Sequence, residues 1–336
     1  MGPINMALLS FAHFHGYSYA RAVKDLPEAR LIAVADNDVP RGKEAAQRYG
    51  VEFYQNYSEV LKRKDVDAVI IAAENAKHAQ IAIDAAEAKK HILCEKPIAT
   101  KLSDADSMLR AVKNAGVKFQ TCFVMRYHTA ANLIYSVLKR GDIGKVVAMT
   151  GTNQLKRLMS GWFIEPELSG GGAVMDHTVH LADMMRWYTG SEAERVYCEI
   201  GKNVNRDFKV EDCFLTMVNF RNGAVGTIDG SWNRPASYHT WGHLTMEVIG
   251  TEGMVLLDAF RQVVYVVQSE APSNRLEWVG WGCDPDKEMI RDFMKCIRED
   301  LKPKASGFDG RQALEITLAS YKSAKKGAPV TLPMQS

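Results

Sequence analysis

Two stretches of this 336-residue chain carry side chains of types and spacings that can do chemistry. The first is Cys94-Glu95-Lys96-Pro97, which follows the short apolar run Asp67–Ala73, a helical pattern and the strand His91–Cys94. Pro97 cannot join a sheet ladder, so the strand stops there and Lys96 falls at its carboxyl end. A lysine held at that edge, partly withdrawn from water, can hydrogen-bond a substrate hydroxyl and have its proton affinity tuned. The second stretch runs from Gly170, Gly171 and Gly172 through Asp176, His177 and His180 to Asp183. Asp176 and His180 are four apart, so on a helix they share one face. A carboxylate and an imidazole so placed suit removal of a hydroxyl proton while hydride leaves the carbon that bears it. The three glycines are expected to let the backbone approach a bound ligand.

The elements that position these residues alternate in the first third of the chain. Strands are expected at Asn5–Ser10, Arg30–Ala35, Asp67–Ala73, His91–Cys94 and Val117–Phe123, with helices at Tyr17–Lys24, Gly42–Tyr49, Ala76–Lys89 and Ser103–Ala115. Short apolar strands without alternation, separated by helices, make a doubly wound parallel sheet, whose carboxyl edge is where ligands bind. After Arg126 the rhythm changes. Helices are expected at Thr129–Lys139, from the glycine cluster to Tyr188, and at Pro285–Glu299 and Gly310–Lys322. Strands are expected at Val146–Leu155, Glu194–Ile200, Asp212–Phe220, Ala224–Trp232, His243–Ile249 and Val255–Val267, which imply a large, mostly antiparallel open sheet. The fold class is thus α/β, with residues 1–125 as a dinucleotide-binding domain and 126–336 as an α+β substrate-binding and oligomerisation domain. The C-terminal helices are expected to pack back toward the first domain.

The first strand does not lead into the glycine fingerprint of a dinucleotide site. Its loop reads Ser10-Phe11-Ala12-His13-Phe14-His15-Gly16, with Ser10, Ala12 and His15 in the three glycine places. Small residues at the first two still allow a tight turn and close phosphate approach. His15 cannot supply the strand–helix packing of the third glycine, although Gly16 can if the register slips by one. The following helix still offers its N-terminal amides to a diphosphate. Asp36 ends the second strand, where a carboxylate can bond the adenosine ribose hydroxyls. No arginine follows it immediately, and Arg41 is expected inside the next helix, so NAD is favoured and NADP stays possible. His13 and His15 invite a metal, but no carboxylate or cysteine stands at useful local spacing. They are expected to line the nicotinamide pocket instead.

Composition narrows the rest. A formal charge of +2, with Lys62-Arg63-Lys64 as the densest basic run, argues against a nucleic-acid partner. No apolar run approaches the ~20 residues that span a bilayer, and the N-terminal stretch lacks a signal-peptide pattern. With six scattered cysteines and no zinc spacing, a cytoplasmic protein with free, mostly buried thiols is expected.

Together these motifs resemble the glucose–fructose oxidoreductase/inositol dehydrogenase (Gfo/Idh/MocA) family over nearly the whole chain. Arg126-Tyr127 is similar to a junction of that family, and Val210-Glu211-Asp212, Phe220 to Gly223, Ser231-Trp232 and Ile249 to Gly253 are similar to its sheet. The resemblance implies an NAD(P)-dependent oxidoreductase acting on a sugar, sugar derivative or cyclitol, with Lys96, Asp176 and His180 as the catalytic trio. His180 would be the acid–base, Asp176 would hold substrate, and Lys96 would bond both substrate and nicotinamide ribose. It further implies a homodimer or homotetramer built through the C-terminal sheet. Cofactor contacts are expected from Ser10, Ala12, His13, Phe14, His15, Asp36, Glu74, Asn75, His78, Glu95, Lys96 and Arg126. Substrate contacts are expected from Lys96, Arg126, Trp162, Asp176, His177, His180, Arg234 and His239.

The chain departs from the family pattern at Glu74, which adds a negative charge near the nicotinamide ribose, and at His177, where an aliphatic residue is usual. Asp176, His177 and His180 could share a metal with His239 or His243, but the sequence is read without one. Two other functions remain open at this point. One is a redox-neutral, NAD-dependent glycosidase working through a keto-sugar. The other is a ligand sensor that has lost catalysis.

Overall fold

The computed structural model describes residues 2–156, 161–238, 240, 242–260, 263–267, 276–280 and 282–334. The first half is a six-stranded parallel sheet of β1 (Ile4–Leu9), β2 (Ala29–Ala35), β3 (Glu52–Tyr54), β4 (Ala68–Ile71), β5 (His91–Cys94) and β6 (Phe119–Thr121), in the order β3-β2-β1-β4-β5-β6. Its helices are α1 (His15–Asp25), α2 (Val39–Tyr49), α3 (Tyr57–Leu61), α4 (His78–Glu87) and α5 (Leu102–Ala115). Alternation along β1 shows why such strands are apolar throughout. Met6 and Leu8 pack on one face with Tyr19 of α1, while Ala7 and Leu9 pack on the other with Ala82 of α4. Order reverses between β1 and β4, and the carboxyl ends of these strands frame the crevice where ligands bind.

The second half begins with α6 (Thr129–Arg140), β7 (Val146–Leu155), α7 (Pro166–Ser169) and α8 (Ala173–Thr189). Then come β8 (Ala193–Ile200), β9 (Phe214–Phe220), β10 (Val225–Asp229), β11 (Gly242–Gly250) and β12 (Met254–Asp258). A separate hairpin of β13 (Val263–Val267) and β14 (Leu276–Gly280) precedes α9 (Pro285–Arg298), α10 (Gly307–Lys326) and β15 (Val330–Thr331). The large sheet runs β12-β11-β7-β10-β9-β8-β15 and is antiparallel except between β7 and β10. Helix α8 lies close on one face. A Cβ on Gly151 would come 3.0 Å from Leu181, and one on Gly226 would come 2.6 Å from the Met185 sulfur. The opposite face leaves Leu215, Met217, Val225, Ile249, Met254 and Leu256 exposed.

Several expected boundaries shift for local reasons. Val255–Val267 is two strands, β12 and β13. The strand expected from Asp212 starts at Phe214, because the Asp212 carboxylate turns to accept the backbone N–H groups of Val204 and Asn205 at 2.9 and 2.7 Å. The short β3 and α3 carry too few residues for a periodic signal. Helix α9 packs Met289, Ile290 and Phe293 against the same core as Met6 and Leu8 of the first sheet. No helix among the described residues is long and apolar enough to cross a membrane.

Candidate active site

The turn after β5 and the first turn of α8 meet across 80 residues of sequence: Lys96 Nζ donates to Asp176 Oδ1 at 2.6 Å, and both side chains are buried. Burial opposes the charge of each, but the pairing outweighs it. Lys96 is held above its ordinary proton affinity, and Asp176 well below the usual carboxylate range. His180, one turn along α8, sits in the field of Lys96, Asp176 and His177. Burial, reinforced by Lys96, pushes its pKa well below the ordinary value, which leaves a neutral imidazole ready to take a proton.

The glycine cluster packs tightly against the protein itself. A Cβ on Gly172 would lie 2.0 Å from the Glu211 carbonyl oxygen, and one on Gly170 2.5 Å from the Thr100 side chain. These positions let α8 start against the residues that cap it. Glu211 Oε1 accepts the N–H groups of Gly172 and Val174 at 2.9 and 3.0 Å and the Tyr321 hydroxyl at 2.7 Å, while Met175 N–H donates to that same hydroxyl oxygen at 3.1 Å. Ala173 N–H donates to the Glu211 carbonyl at 2.9 Å. The orphan amides that begin a helix are thus satisfied by protein, which fixes where Asp176 stands. Glu211 and Tyr321 were not among the expected site residues. The only sequence signal for Glu211 is the Val210-Glu211-Asp212 motif, whose role depends on a fold contact, and Tyr321 has none.

His177 also differs from expectation. Its ring is buried, with Nδ1 2.6 Å from the Gly230 carbonyl oxygen and Nε2 3.2 Å from Asp176 Oδ2. It stands behind Asp176 as a support. A Cβ on Gly230 would fall 2.7 Å from that of His177, so the glycine is what admits the imidazole.

Across the crevice, Ser10 adopts φ 74°, the left-handed turn that the missing first glycine would take freely. Its hydroxyl oxygen accepts Ala12 N–H at 3.1 Å, which steadies the loop. Gly16 takes the packing role: an added Cβ would meet Phe11 at 3.2 Å and Ala72 at 3.4 Å. His15 instead starts α1 and turns its Nδ1 to Glu95 Oε1 at 3.3 Å, while the Tyr19 hydroxyl donates to Glu95 Oε2. His13 is buried with its Nε2 3.9 Å from Glu95 Oε1, and Phe14 remains half exposed. The carboxylate that local spacing lacked therefore comes from the strand-end turn. Trp162 reaches over from the second half and donates its indole N–H to the Ala12 carbonyl at 2.9 Å, which places it on the dinucleotide loop.

At the far end of the crevice, Arg41 lies in α2 as expected, but its guanidinium returns to Asp36. Nε and Nη2 donate to the two carboxylate oxygens at 2.8 and 2.7 Å. The expected unbalanced negative charge at Asp36 is therefore corrected: an arginine neutralises it, and the charge argument against a 2′-phosphate weakens. Glu74 pairs with Lys77 through one oxygen and keeps the other, Oε2, buried without a hydrogen bond; Asn75 Oδ1 is likewise unmet. The first amides of α1 turn back onto the loop, Gly16 N–H to the His13 carbonyl at 3.0 Å and Tyr17 N–H to the Phe14 carbonyl at 3.2 Å, so the orphaned acceptors at the carboxyl edge and the aspartate at the end of β2 are what fits a dinucleotide here.

Other expected contacts fall elsewhere. His78 is fully buried, with Nδ1 2.8 Å from the Pro97 carbonyl oxygen and Nε2 3.0 Å from that of Ala73, so it straps two strand ends and does not face the crevice. Arg126 gives its donors to both Asp183 oxygens at 2.8 and 2.7 Å and to Asp309 at 3.0 Å, a buried network that joins α8 to α10. Its expected contacts with cofactor and substrate are replaced by that structural role. Arg234 lies 3.5 Å from His243 Nδ1 and over the Tyr238 ring. His243 contacts Thr152, on the sheet face opposite the Gly151 side that packs on α8, so Arg234 and His243 stand away from Asp176. His239 lies outside the described residues.

Residues 5–123 match the oxidoreductase family described by its NAD-binding Rossmann fold, and residues 132–256 match the GFO/IDH/MocA C-terminal domain. The chain is 29% identical to a myo-inositol 2-dehydrogenase of Thermotoga maritima over 330 residues, covering 94% of this chain and 95% of that one. It is 27% identical to a scyllo-inositol 2-dehydrogenase (NAD(+)) of Bacillus subtilis, covering 99% and 97% of the two chains. Among solved structures, a levoglucosan dehydrogenase in complex with NADH and levoglucosan superposes with a TM-score of 0.87 at 26% identity, covering 99% of this chain and 100% of that one.

Proposed function

This chain belongs to the GFO/IDH/MocA family of oxidoreductases, and on that premise we propose that it is an NAD-dependent dehydrogenase of a sugar, sugar derivative or cyclitol, with Lys96, Asp176 and His180 as its catalytic residues. The observation that carries the assignment is the 2.6 Å contact between Lys96 and Asp176, which joins the two halves of the molecule beside His180. Ser10, Ala12, Asp36 and Glu74 line the crevice that would hold the dinucleotide. When bound, it supplies the hydride acceptor.

The protein does the rest. Lys96, kept charged by Asp176, donates a hydrogen bond to the substrate hydroxyl and favours its ionisation. Asp176, with one oxygen on Lys96 and the other backed by His177, accepts from a neighbouring hydroxyl and so fixes which carbon faces the acceptor. His180, neutral through burial, takes the hydroxyl proton at its free ring nitrogen as hydride departs. In the reverse direction it returns that proton.

The test is reduced-nicotinamide absorbance with a panel of cyclitols and pyranoses. His180→Ala is expected to lower kcat by about 10²–10⁴-fold while NAD titration stays unchanged. Because the His180 pKa lies below its ordinary value, oxidation should stay level through neutral pH and fall only in acid, below the usual ~6.5. A profile that breaks above neutrality would exclude His180 as the base.

The open sheet face supports a homo-oligomer. Rows such as Met217–Thr227–Thr150–Glu247–Leu256 place apolar and small polar residues, with the carboxylate of Glu247 among them, outward on neighbouring strands. A second copy would cover them, and sedimentation of the purified chain distinguishes a monomer from a dimer or tetramer. Cys94, Cys122, Cys198, Cys213, Cys283 and Cys296 are all free thiols, which supports a reducing, cytoplasmic setting.

A further inference from the structure

Where the first loop lacks its fingerprint glycines, three side chains of metal-binding type converge. His13 Nε2 lies 3.9 Å from Glu95 Oε1, His15 Nδ1 lies 3.3 Å from the same oxygen, and the three ligand atoms all fall within 4.8 Å of one another. Among the described residues, no other set of three or more His, Cys, Asp or Glu side chains gathers in this way. Two imidazole nitrogens and one carboxylate oxygen are the protein ligands of an open zinc site, which keeps its fourth position for water or another ligand. Bonds of about 2.1 Å in a tetrahedron separate ligand atoms by roughly 3.4 Å, close to the two spacings around Glu95.

The surroundings are those of a built site. The Glu95 and His13 side chains are 0% and 2% exposed, so they cannot drift, whereas His15 at 25% can swing to close the widest spacing. The Tyr19 hydroxyl holds Glu95 Oε2 and leaves Oε1 turned toward the two imidazoles, as outer partners of metal-bound carboxylates do.

We propose that His13, His15 and Glu95 bind one divalent transition-metal ion of the zinc class. The imidazole protons are redistributed without net loss. The His15 proton moves from Nδ1 to Nε2. The His13 proton moves from Nε2 to Nδ1, which gives up the long 3.2 Å bond from His15 N–H. Nitrogen ligands select zinc or cobalt over magnesium and calcium, which prefer an all-oxygen shell. The site stands on the first half of the molecule alone and does not depend on the dehydrogenase assignment.

Chelator-treated full-length protein would be titrated with zinc against a chromophoric chelator, and with cobalt(II) followed through its visible d–d bands. The expected result is one ion per chain with tetrahedral cobalt bands, unaffected by excess magnesium. His15→Gln should weaken binding about tenfold or more, and Glu95→Gln should abolish the bands. Glu95 is fully buried, so circular dichroism is compared first; if that variant does not fold, His15→Gln decides. His180→Ala, which removes none of the three ligands, should keep full stoichiometry. Absence of cobalt bands in the unmodified protein, undiminished affinity in His15→Gln, or loss of the ion in His180→Ala would each overturn the proposal.

Discussion

The Ser10–Gly16 loop and the Gly170–Asp183 stretch are both turns that lead into a helix at the edge of one crevice, yet they tolerate change differently. The first needs a backbone shape. Ser10 reaches the left-handed region at a cost of about 1–2 kcal/mol, and Gly16, one position late, supplies the close packing. The second needs particular groups, because the proposed chemistry calls for a carboxylate, an ammonium and an imidazole together. A backbone requirement can be met by residues that hide a motif, whereas a chemical requirement shows in the residue types themselves.

Asp176→Ala should break the second region most severely. It leaves the Lys96 ammonium buried beside Glu95 without its 2.6 Å partner, which is expected to cost about 3–5 kcal/mol in denaturant unfolding. Asp176→Asn, which keeps the shape, should cost less and still abolish turnover. In the first region, Gly16→Val adds methyl groups where Phe11 and Ala72 leave no room. About 1–3 kcal/mol of overpacking is expected, together with weaker NAD binding. The companion change His15→Gly restores only the third glycine of the fingerprint and should leave NAD affinity nearly unchanged, because Gly16 already does the packing; a large gain would show that His15 obstructs the cofactor. The smallest effect sharpens cofactor choice. Arg41→Ala uncovers the Asp36 carboxylate, so NADP affinity should fall about tenfold, or roughly 1.4 kcal/mol, with NAD little altered in parallel calorimetric titrations.

Much of this was legible beforehand because it depends on neighbours in sequence. The β1, β2, β4 and β5 strands are apolar runs bounded by helices, Lys96 ends β5 because Pro97 follows it, and Asp176 and His180 share a face because α8 has the period of a helix. The short elements β3 and α3 gave no periodic signal, and Val255–Val267 reads as one strand since apolar composition does not mark where a chain turns.

The side-chain pairings were another matter. Composition and spacing by themselves determined a doubly wound sheet followed by an open, mostly antiparallel one, and marked Lys96, Asp176 and His180 as side chains able to do chemistry, which the family resemblance then joined into a proposed trio. Only the tertiary structure decided that Glu95 turns to His13 and His15, that Arg126 belongs to Asp183 and Asp309, that Arg234 lies on the far side of the sheet, and that Glu211 caps α8. The physical reason is that periodicity records which face of an element is buried. Which charge meets which depends on how distant elements dock, and a guanidinium or carboxylate binds whichever partner the packing delivers.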